Sequence, residues 1–343
     1  MKLLWFSFVQ FYLTVGFKFY YKKIDVVYQE KIPKNQAVIF LSNHQNALLD
    51  PLLVSISSTR KNYFLTRAAV FKNPTVAKLL NSLQMLPVYR MVDGANTIQK
   101  NRAVFTFCST LLNQKKSIIL FPEGSHSLNR KIRPLKKGAA RIIEETLQKY
   151  PKREIIIIPV GVNYQAPTEY GDSMSVYFGK HISPNKFWDG KQLDMQELNK
   201  SISAELKQLT THIESILDHE ISLKKLNDLK VDYTLPEVVN DCLQNDFSNP
   251  GNKLKEPSGL YSFFIFLIKI FYFLPYLIWR KVTFPKIAED EFIGTFRYVF
   301  IITLAPIYLL LLVLVAFLVL GKIIGTTLLG IGIILPLIAL RVK

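Results

Sequence analysis

The chain has 343 residues, a formal net charge of +17 and a positive mean hydropathy of +0.18, enough length for one large domain or two smaller ones with membrane-contacting ends. Two cysteines without paired spacing, Cys108 and Cys242, exclude a disulfide framework and fit a reducing compartment. The basic excess suits nucleic acid, anionic lipid headgroups or acidic substrates. No zinc-finger, recognition-helix or RNA-binding aromatic pattern accompanies it, so nucleic acid is set aside as a partner in favour of a phospholipid membrane.

The first 23 residues, MKLLWFSFVQFYLTVGFKFYYKK, have one lysine in the n-region and no small-residue cleavage site. They read as an uncleaved helix in the membrane interface or dipping into a leaflet, not as a secretory leader. Residues 24–228 read as the soluble domain. The apolar runs 37–42, 116–121 and 154–162 are expected as buried strands, with a weaker strand at 61–66. Helical stretches fall at 51–58, 74–83, 95–113 and 136–150. This alternation predicts an α/β sheet with helices on its faces, and polar residues just beyond strand ends become the site candidates.

A further amphipathic helix is expected over 192–221, with Ile202, Leu206, Leu209, Ile213 and Ile216 at helical spacing. Residues 229–258, polar and containing SNPGNKLKEPSG, read as a linker to a membrane region at 259–343. Residues 299–320 carry no charge and would span about 33 Å as a helix. A second run, 323–340, follows Gly321-Lys322, so a tight hairpin is expected. The hairpin sets Arg341 and Lys343 on the side of Arg280, Lys281, Lys286 and Arg297, against Lys322 at the tip. The basic side, with the soluble domain, is expected to be cytoplasmic, at an inner or plasma membrane if bacterial. Residues 259–279, with Lys269 and Pro275, read as a re-entrant or interfacial segment, a full span being the alternative.

Four short blocks follow strand ends. In the first, Asn43-His44 precedes Asp50-Pro51. Asp50 is either a helix N-cap, with Pro51 at the first helical position, or the carboxylate that fixes the tautomer of a general-base histidine. The second, LPVYR, ends at Arg90, either a surface cation or a bidentate phosphate ligand. The third is FPEGSHS, residues 121–127, where Gly124 permits close backbone approach to a ligand. It runs on into Arg130, Lys131, Arg133, Lys136, Lys137 and Arg141, an anion site or a solvated basic face. The fourth, IIPVGVNY at 157–164, holds Pro159, which implies an edge or a kink near the strand end.

These blocks, in this order over roughly residues 36–165, resemble the PlsC-like phospholipid/glycerol acyltransferase family. The resemblance implies a mixed sheet flanked by helices. It also implies acyl transfer from acyl-CoA or acyl carrier protein to a hydroxyl of glycerol 3-phosphate or a lysophospholipid, with no metal or cofactor. His44 would be the base and Asp50 its orienting carboxylate. Asn43, Arg90, Glu123, Gly124, Ser125, His126, Arg130, Arg133, Lys137 and Pro159 would shape the substrate site. Five residues separate His44 from Asp50 where the family usually has four, so a looped backbone must absorb the extra one. His126 stands where the family usually has Arg. The long spacing, with EFIGTFRYVF before the membrane hairpin, is similar to the fungal-type glycerol-3-phosphate/dihydroxyacetone-phosphate acyltransferase variant. Two other readings compete: a lipid hydrolase using Ser125 or Ser127, which lacks a Gly-x-Ser-x-Gly elbow, and a non-catalytic membrane-binding protein on the same fold.

Overall fold

The computed structural model describes residues 2–90, 96–214, 218–254, 256 and 258–343. Helix α1 (Lys2–Lys18) leads into strand β1 (Lys23–Tyr28), then β2 (Ala37–Ser42), α2 (Leu49–Ser57), β3 (Asn62–Arg67), α3 (Pro74–Ser82) and β4 (Met85–Val88). Next come α4 (Thr97–Asn113), β5 (Ser117–Leu120), α5 (Gly138–Lys149), β6 (Ile155–Tyr164) and β7 (Ser173–Phe178). Helices α6 (Met195–Leu209), α7 (His219–Asp228) and α8 (Pro236–Gln244) precede the apolar region. That region holds α9 (Gly259–Phe271), α10 (Phe273–Ile278), α11 (Ile293–Leu320) and α12 (Lys322–Val342).

The strands form one sheet in the order β1-β7-β6-β2-β5-β3-β4. Every pairing is parallel except β6–β7. Strand β2 lies in the middle and all six of its residues are buried, which explains its unbroken apolar run: helices cover both faces. Val38 and Phe40 face a core with Leu49, Leu53 and Tyr164, while Ala37, Ile39 and Leu41 face one built with α4, α5 and α6. The carboxyl ends of parallel β2, β4, β5 and β6 lie at one edge, and all four sequence blocks come to those ends or just beyond.

Pro159 corrects one expectation. It sits inside β6, an interior strand, opposite Leu41 of β2 and away from the strand end. Its missing N–H falls on the β7 side, between the Ile157–Ile182 bridge and the Val160–Phe178 pair, where the ladder is interrupted. Its carbonyl still accepts from Gly179 N at 2.9 Å.

The long helix expected over 192–221 stops at Leu209, because its end is clamped by the sheet. Leu209 O accepts from Asn163 Nδ2 (3.0 Å), and Asn240 Nδ2 reaches both Lys207 O (3.0 Å) and Thr210 O (2.9 Å). Thr210 is extended, and Ile213 joins a separate small core with Leu226, Val231, Tyr233, Val239 and Cys242. Ile216 lies outside the described residues. The expected linker 229–258 therefore contributes α8 and part of a packed subcore.

Among the described residues, two helices are long and apolar enough to cross a membrane, Asp290–Leu320 and Lys322–Val342. They turn at Gly321, whose φ of +94° suits glycine, and pack closely: a Cβ on Gly332 would lie 2.4 Å from Leu309 Cδ1. The stretches Gly259–Phe271 and Phe273–Lys286 are bent by 95°, a geometry open to a re-entrant loop or a broken span. Helix α1 lies against α11, with Phe17 stacked on Tyr298 at 4.5 Å.

Pro306 and Pro336, inside α11 and α12, each free a carbonyl four residues upstream, and Pro275 stands four residues after the last residue of α9. Each of these three carbonyls is taken by a tyrosine from elsewhere in the bundle. Tyr12 Oη bonds Ile302 O behind Pro306, Tyr272 Oη bonds Gly332 O behind Pro336 (2.9 Å), and Tyr308 Oη bonds Phe271 O behind Pro275 (3.1 Å).

Two predictions follow from the packing. A Cβ on Gly161 would lie 2.0 Å from Leu209 O, so Gly161→Ala should lower stability by about 1–3 kcal/mol or more in denaturant unfolding. Asp172 is buried in the β6–β7 connection. Its Oδ1 accepts from Ala166 N and Ser173 N, and its Oδ2 has no partner among the described residues. Burial pushes its carboxyl up to about 7 against these amides. The native state therefore holds a proton that the unfolded chain releases near pH 4, and stability falls as pH rises from about 4 to 7. Asp172→Asn should flatten that fall and raise the melting temperature at pH 8 relative to wild type, as a thermal melt at pH 5 and pH 8 would report.

Candidate active site

The site is built on the loop 43–48, which leaves the buried end of β2 and enters α2. Asn43 continues the β2 ladder with its side chain: Nδ2 donates to Val162 O (2.9 Å) and Oδ1 accepts from Val162 N (2.8 Å). This splint to β6 takes up the amide expected to meet substrate. It also fixes the direction in which the next residue, His44, leaves the sheet.

His44 Nδ1 lies 2.8 Å from Asp50 Oδ2. The same oxygen accepts from the backbone amides of Gln45 and Asn46, each at 2.8 Å, while Oδ1 accepts from Tyr164 Oη at 2.6 Å. Asp50 is fully buried, so four donors replace its water. With the carboxylate accepting at Nδ1, the neutral imidazole keeps its proton there and leaves Nε2 as the basic nitrogen. The imidazole stacks on Phe121 at 4.1 Å.

The helix-cap alternative for Asp50 does not hold. Helix α2 begins at Leu49 and Asp50 lies in its first turn, but the carboxylate turns back to amides of the preceding loop instead of capping N–H groups ahead of it. The loop expected from the five-residue spacing is present. Its added length lets Asn46 reach outward: Oδ1 accepts from Thr295 Oγ1 (2.8 Å) and Nδ2 donates to Pro167 O (3.3 Å). Thr295 Oγ1 also accepts from Leu48 N at 2.9 Å, and a Cβ on Gly294 would lie 2.4 Å from Asn46 Nδ2. The first turn of a membrane helix is thus locked onto the His–Asp loop.

The Phe-Pro-Glu-Gly-Ser turn follows β5. Gly124 takes a φ of +81°, and Ser127 N donates to His44 O (2.9 Å), tying this turn to the first loop. Glu123 is buried and ion-paired, its Oε2 2.5 Å from Arg133 Nε. Burial pushes the Glu123 carboxyl up, against the pull of Arg133. Arg133 also bonds Ser125 Oγ (2.7 Å) and Ser125 O, so it braces the turn. His126 sits 5.7 Å from His44, ring to ring, and edge-on to Phe292 at 4.8 Å. Burial, together with the neighbouring His44 and Arg90, holds its imidazole below the usual histidine range; the nearby Glu289 and Glu291 act the other way.

The basic run divides. Arg130 is buried, donates to Tyr164 O (2.9 Å) and Gln165 O (3.1 Å), and stacks on Tyr233 at 3.4 Å. Burial pushes its guanidinium down to about 10. It is a structural cation inside the protein, not a solvated ligand for phosphate. Lys136 and Lys137 are exposed at the start of α5, and Lys136 lies beneath Gly124. Pro159 stays within the sheet and does not reach the site.

Sequence reasoning missed Tyr164, Phe121 and Thr295 as partners of this loop. The first and last meet it across 114 and about 250 residues, where no local pattern exists to find them. One group of potential metal ligands occurs among the described residues: His126, Glu289 and Glu291 bring one ligand atom each within 4.8 Å of one another.

Residues 23–163 match the family model described as Acyltransferase. A chloroplastic 1-acyl-sn-glycerol-3-phosphate acyltransferase of Brassica napus is 28% identical over 125 residues, 36% of this chain and 34% of that protein. Its counterpart in Arabidopsis thaliana is 27% identical over 125 residues, 36% of this chain and 33% of that one. The match thus spans about a third of the length of these relatives. The crystal structure of the 1-acyl-sn-glycerophosphate (LPA) acyltransferase PlsC from Thermotoga maritima is 20% identical, with a TM-score of 0.40 over 53% of this chain and 69% of that one. Residues 23–163 thus match the Acyltransferase family, and over about 125 residues the chain is similar to these plant 1-acyl-sn-glycerol-3-phosphate acyltransferases.

Proposed function

We propose that this protein is a membrane-bound enzyme that transfers an acyl group from a thioester, acyl-CoA or acyl carrier protein, to a hydroxyl of a glycerol phosphate lipid. The observation that carries the reading is the buried Asp50 carboxylate holding His44 Nδ1 at 2.8 Å, which leaves Nε2 to act as a base. His44 takes the proton of the acceptor hydroxyl as its oxygen attacks the thioester carbonyl carbon. The carbon–sulfur bond then breaks, and the thiolate receives that proton from the imidazolium, so ester and free thiol form with no covalent enzyme intermediate.

Between glycerol 3-phosphate and 1-acylglycerol 3-phosphate, we favour the second, because the plant relatives carry that substrate in their names and the site adjoins membrane helices. With Arg130 buried and Arg133 paired to Glu123, we assign the phosphate to Arg90, beside His126, and to Lys136 and Lys137. We place the catalytic domain on the cytoplasmic face. Hairpin α11–α12 returns Lys343 to the soluble domain, 3.4 Å from Glu169, on the side that carries most of the flanking cations. The serine-hydrolase reading is weaker: Ser125 Oγ is held by Arg133 and Ser127 Oγ accepts from Asn129 N.

Thiol release by detergent-purified protein tests the chemistry, with acyl-CoA and acyl carrier protein as donors and each acceptor offered separately. His44→Ala should lower kcat/KM by about 10²–10⁴-fold and Asp50→Asn by about 10²-fold or more. Tyr164→Phe should lose about tenfold, as befits one hydrogen bond to the orienting carboxylate. Full activity in His44→Ala would end the proposal. Thr295→Val, which unlocks the loop from α11 without touching His44 or Asp50, should lower kcat by about three- to tenfold while the enzyme stays folded. A kcat identical to wild type would mean that the α11 contact does not position the loop.

A further inference from the structure

At His44 the adjoining polar cavity measures about 10 Å³, room for about one water. A far larger one lies elsewhere. It is a cavity of about 750 Å³ among α1, α9, α10, α11 and α12, within the size range of small-molecule sites. Its walls are mostly apolar, and it is partly open to the surface these helices present to a bilayer.

Three features mark it as a built site. First, Pro275, Pro306 and Pro336, one from each of three helices, all line it. The carbonyls four residues before them each accept from a tyrosine hydroxyl at this wall: Ile302 O from Tyr12, Gly332 O from Tyr272 and Phe271 O from Tyr308. Second, cations line it. Arg297 is held by Thr168 O and by the face of Trp279 (5.3 Å), and Lys269 interrupts the otherwise apolar α9. An ionisable residue in a membrane segment marks a functional site by default. The acid there, Glu169, is already paired with Lys343. Third, the depth fits a lipid. From Arg297 to Leu310 helix α11 rises about 20 Å, against about 15 Å for half the hydrocarbon core.

We propose that this cavity holds one acyl chain of an anionic glycerolipid, with its phosphate at Arg297 and the chain extending toward Gly332. Its polar end adjoins the His–Asp loop. Thr168 follows Pro167, whose carbonyl receives Asn46, and Arg297 comes two residues after Thr295. A lipid seated there is delivered beside the loop, in a site separate from the cleft of His44. The site does not depend on the acyl-transfer reading.

Trp279 lines the cavity and reports on it once Trp5 and Trp188 are replaced by Phe, since the chain has three tryptophans. The probe is lysophosphatidate brominated on its acyl chain, added to the full chain in a neutral detergent. Quenching should saturate, with an apparent affinity at least about tenfold above that for lysophosphatidylcholine of the same chain. Arg297→Gln should erase that preference. Ala305→Phe, which fills the cavity, should weaken binding by about tenfold or more, and Ala305→Leu by less. Melting curves show which variants remain folded. His44→Ala should keep full quenching whether or not thioester turnover is lost, so the two proposals fail separately. Quenching that rises without saturation, is equal for both headgroups and is unmoved in a folded Ala305→Leu protein would reduce the cavity to ordinary contact with the detergent belt and overturn the inference. Saturation by brominated phosphatidate alone would also overturn it, since the site would then require two chains.

Discussion

The candidate site depends on one buried carboxylate. Asp50 has no access to solvent, yet it sits in the first turn of α2, where its charge needs donors. Four come from three directions: the His44 ring, two consecutive amides of the loop, and a tyrosine from β6. A charge buried this way is tolerated only while every donor stays in place, so it constrains all of them at once. It curls the loop 44–48, fixes the histidine tautomer, and requires β6 to run beside β2. The sheet order that interleaves β2 between β6 and β5 is what brings Tyr164 to the Asp50 carboxylate and Phe121 onto the His44 imidazole.

Around this centre the basic residues take distinct roles that their shared charge conceals. Arg133 pairs with Glu123 and braces the turn after β5, and Arg130 is drawn inside to hold the end of β6 against Tyr233. Two of the six cations are thereby structural. The others stay at the surface, and Arg90, at the end of β4, lies near His126. His126, kept neutral by burial and by the cations near it, adds no fixed positive charge where the family usually has an arginine.

The membrane helices are part of the same construction. Thr295 and Gly294, in the first turn of α11, close on Asn46 and Leu48, so the hairpin is coupled to the loop that carries His44. Deeper along the bundle, tyrosine hydroxyls take the carbonyls behind Pro275, Pro306 and Pro336.

Much of this was legible in the sequence because it is written in short-range patterns. Unbroken apolar runs such as AVIFLS located buried strands, alternation with helical stretches gave the α/β class, and charge-free runs marked α11 and α12. Motif residues at strand ends fell on one edge because parallel strands share their carboxyl side. The same short-range signals misled where tertiary contacts intervened. Apolar spacing continued a helix past Leu209, although Asn163 and Asn240 end it there, and polarity made a linker of residues that build a subcore around Tyr233. Strand β7 went unseen, and Pro159 was assigned to a strand end, because the β6–β7 interruption that accommodates it is invisible in one strand alone. By itself the sequence determined which residues are candidates for the chemistry and which segments are apolar. Only the tertiary structure decided that Asp50 orients and does not cap, that Arg130 is interior, and that Thr295 and Tyr164 belong to the site. The reason is physical: these assignments rest on hydrogen bonds between segments far apart in the chain, and a directional contact of about 3 Å imposes no periodicity on the residues between its ends.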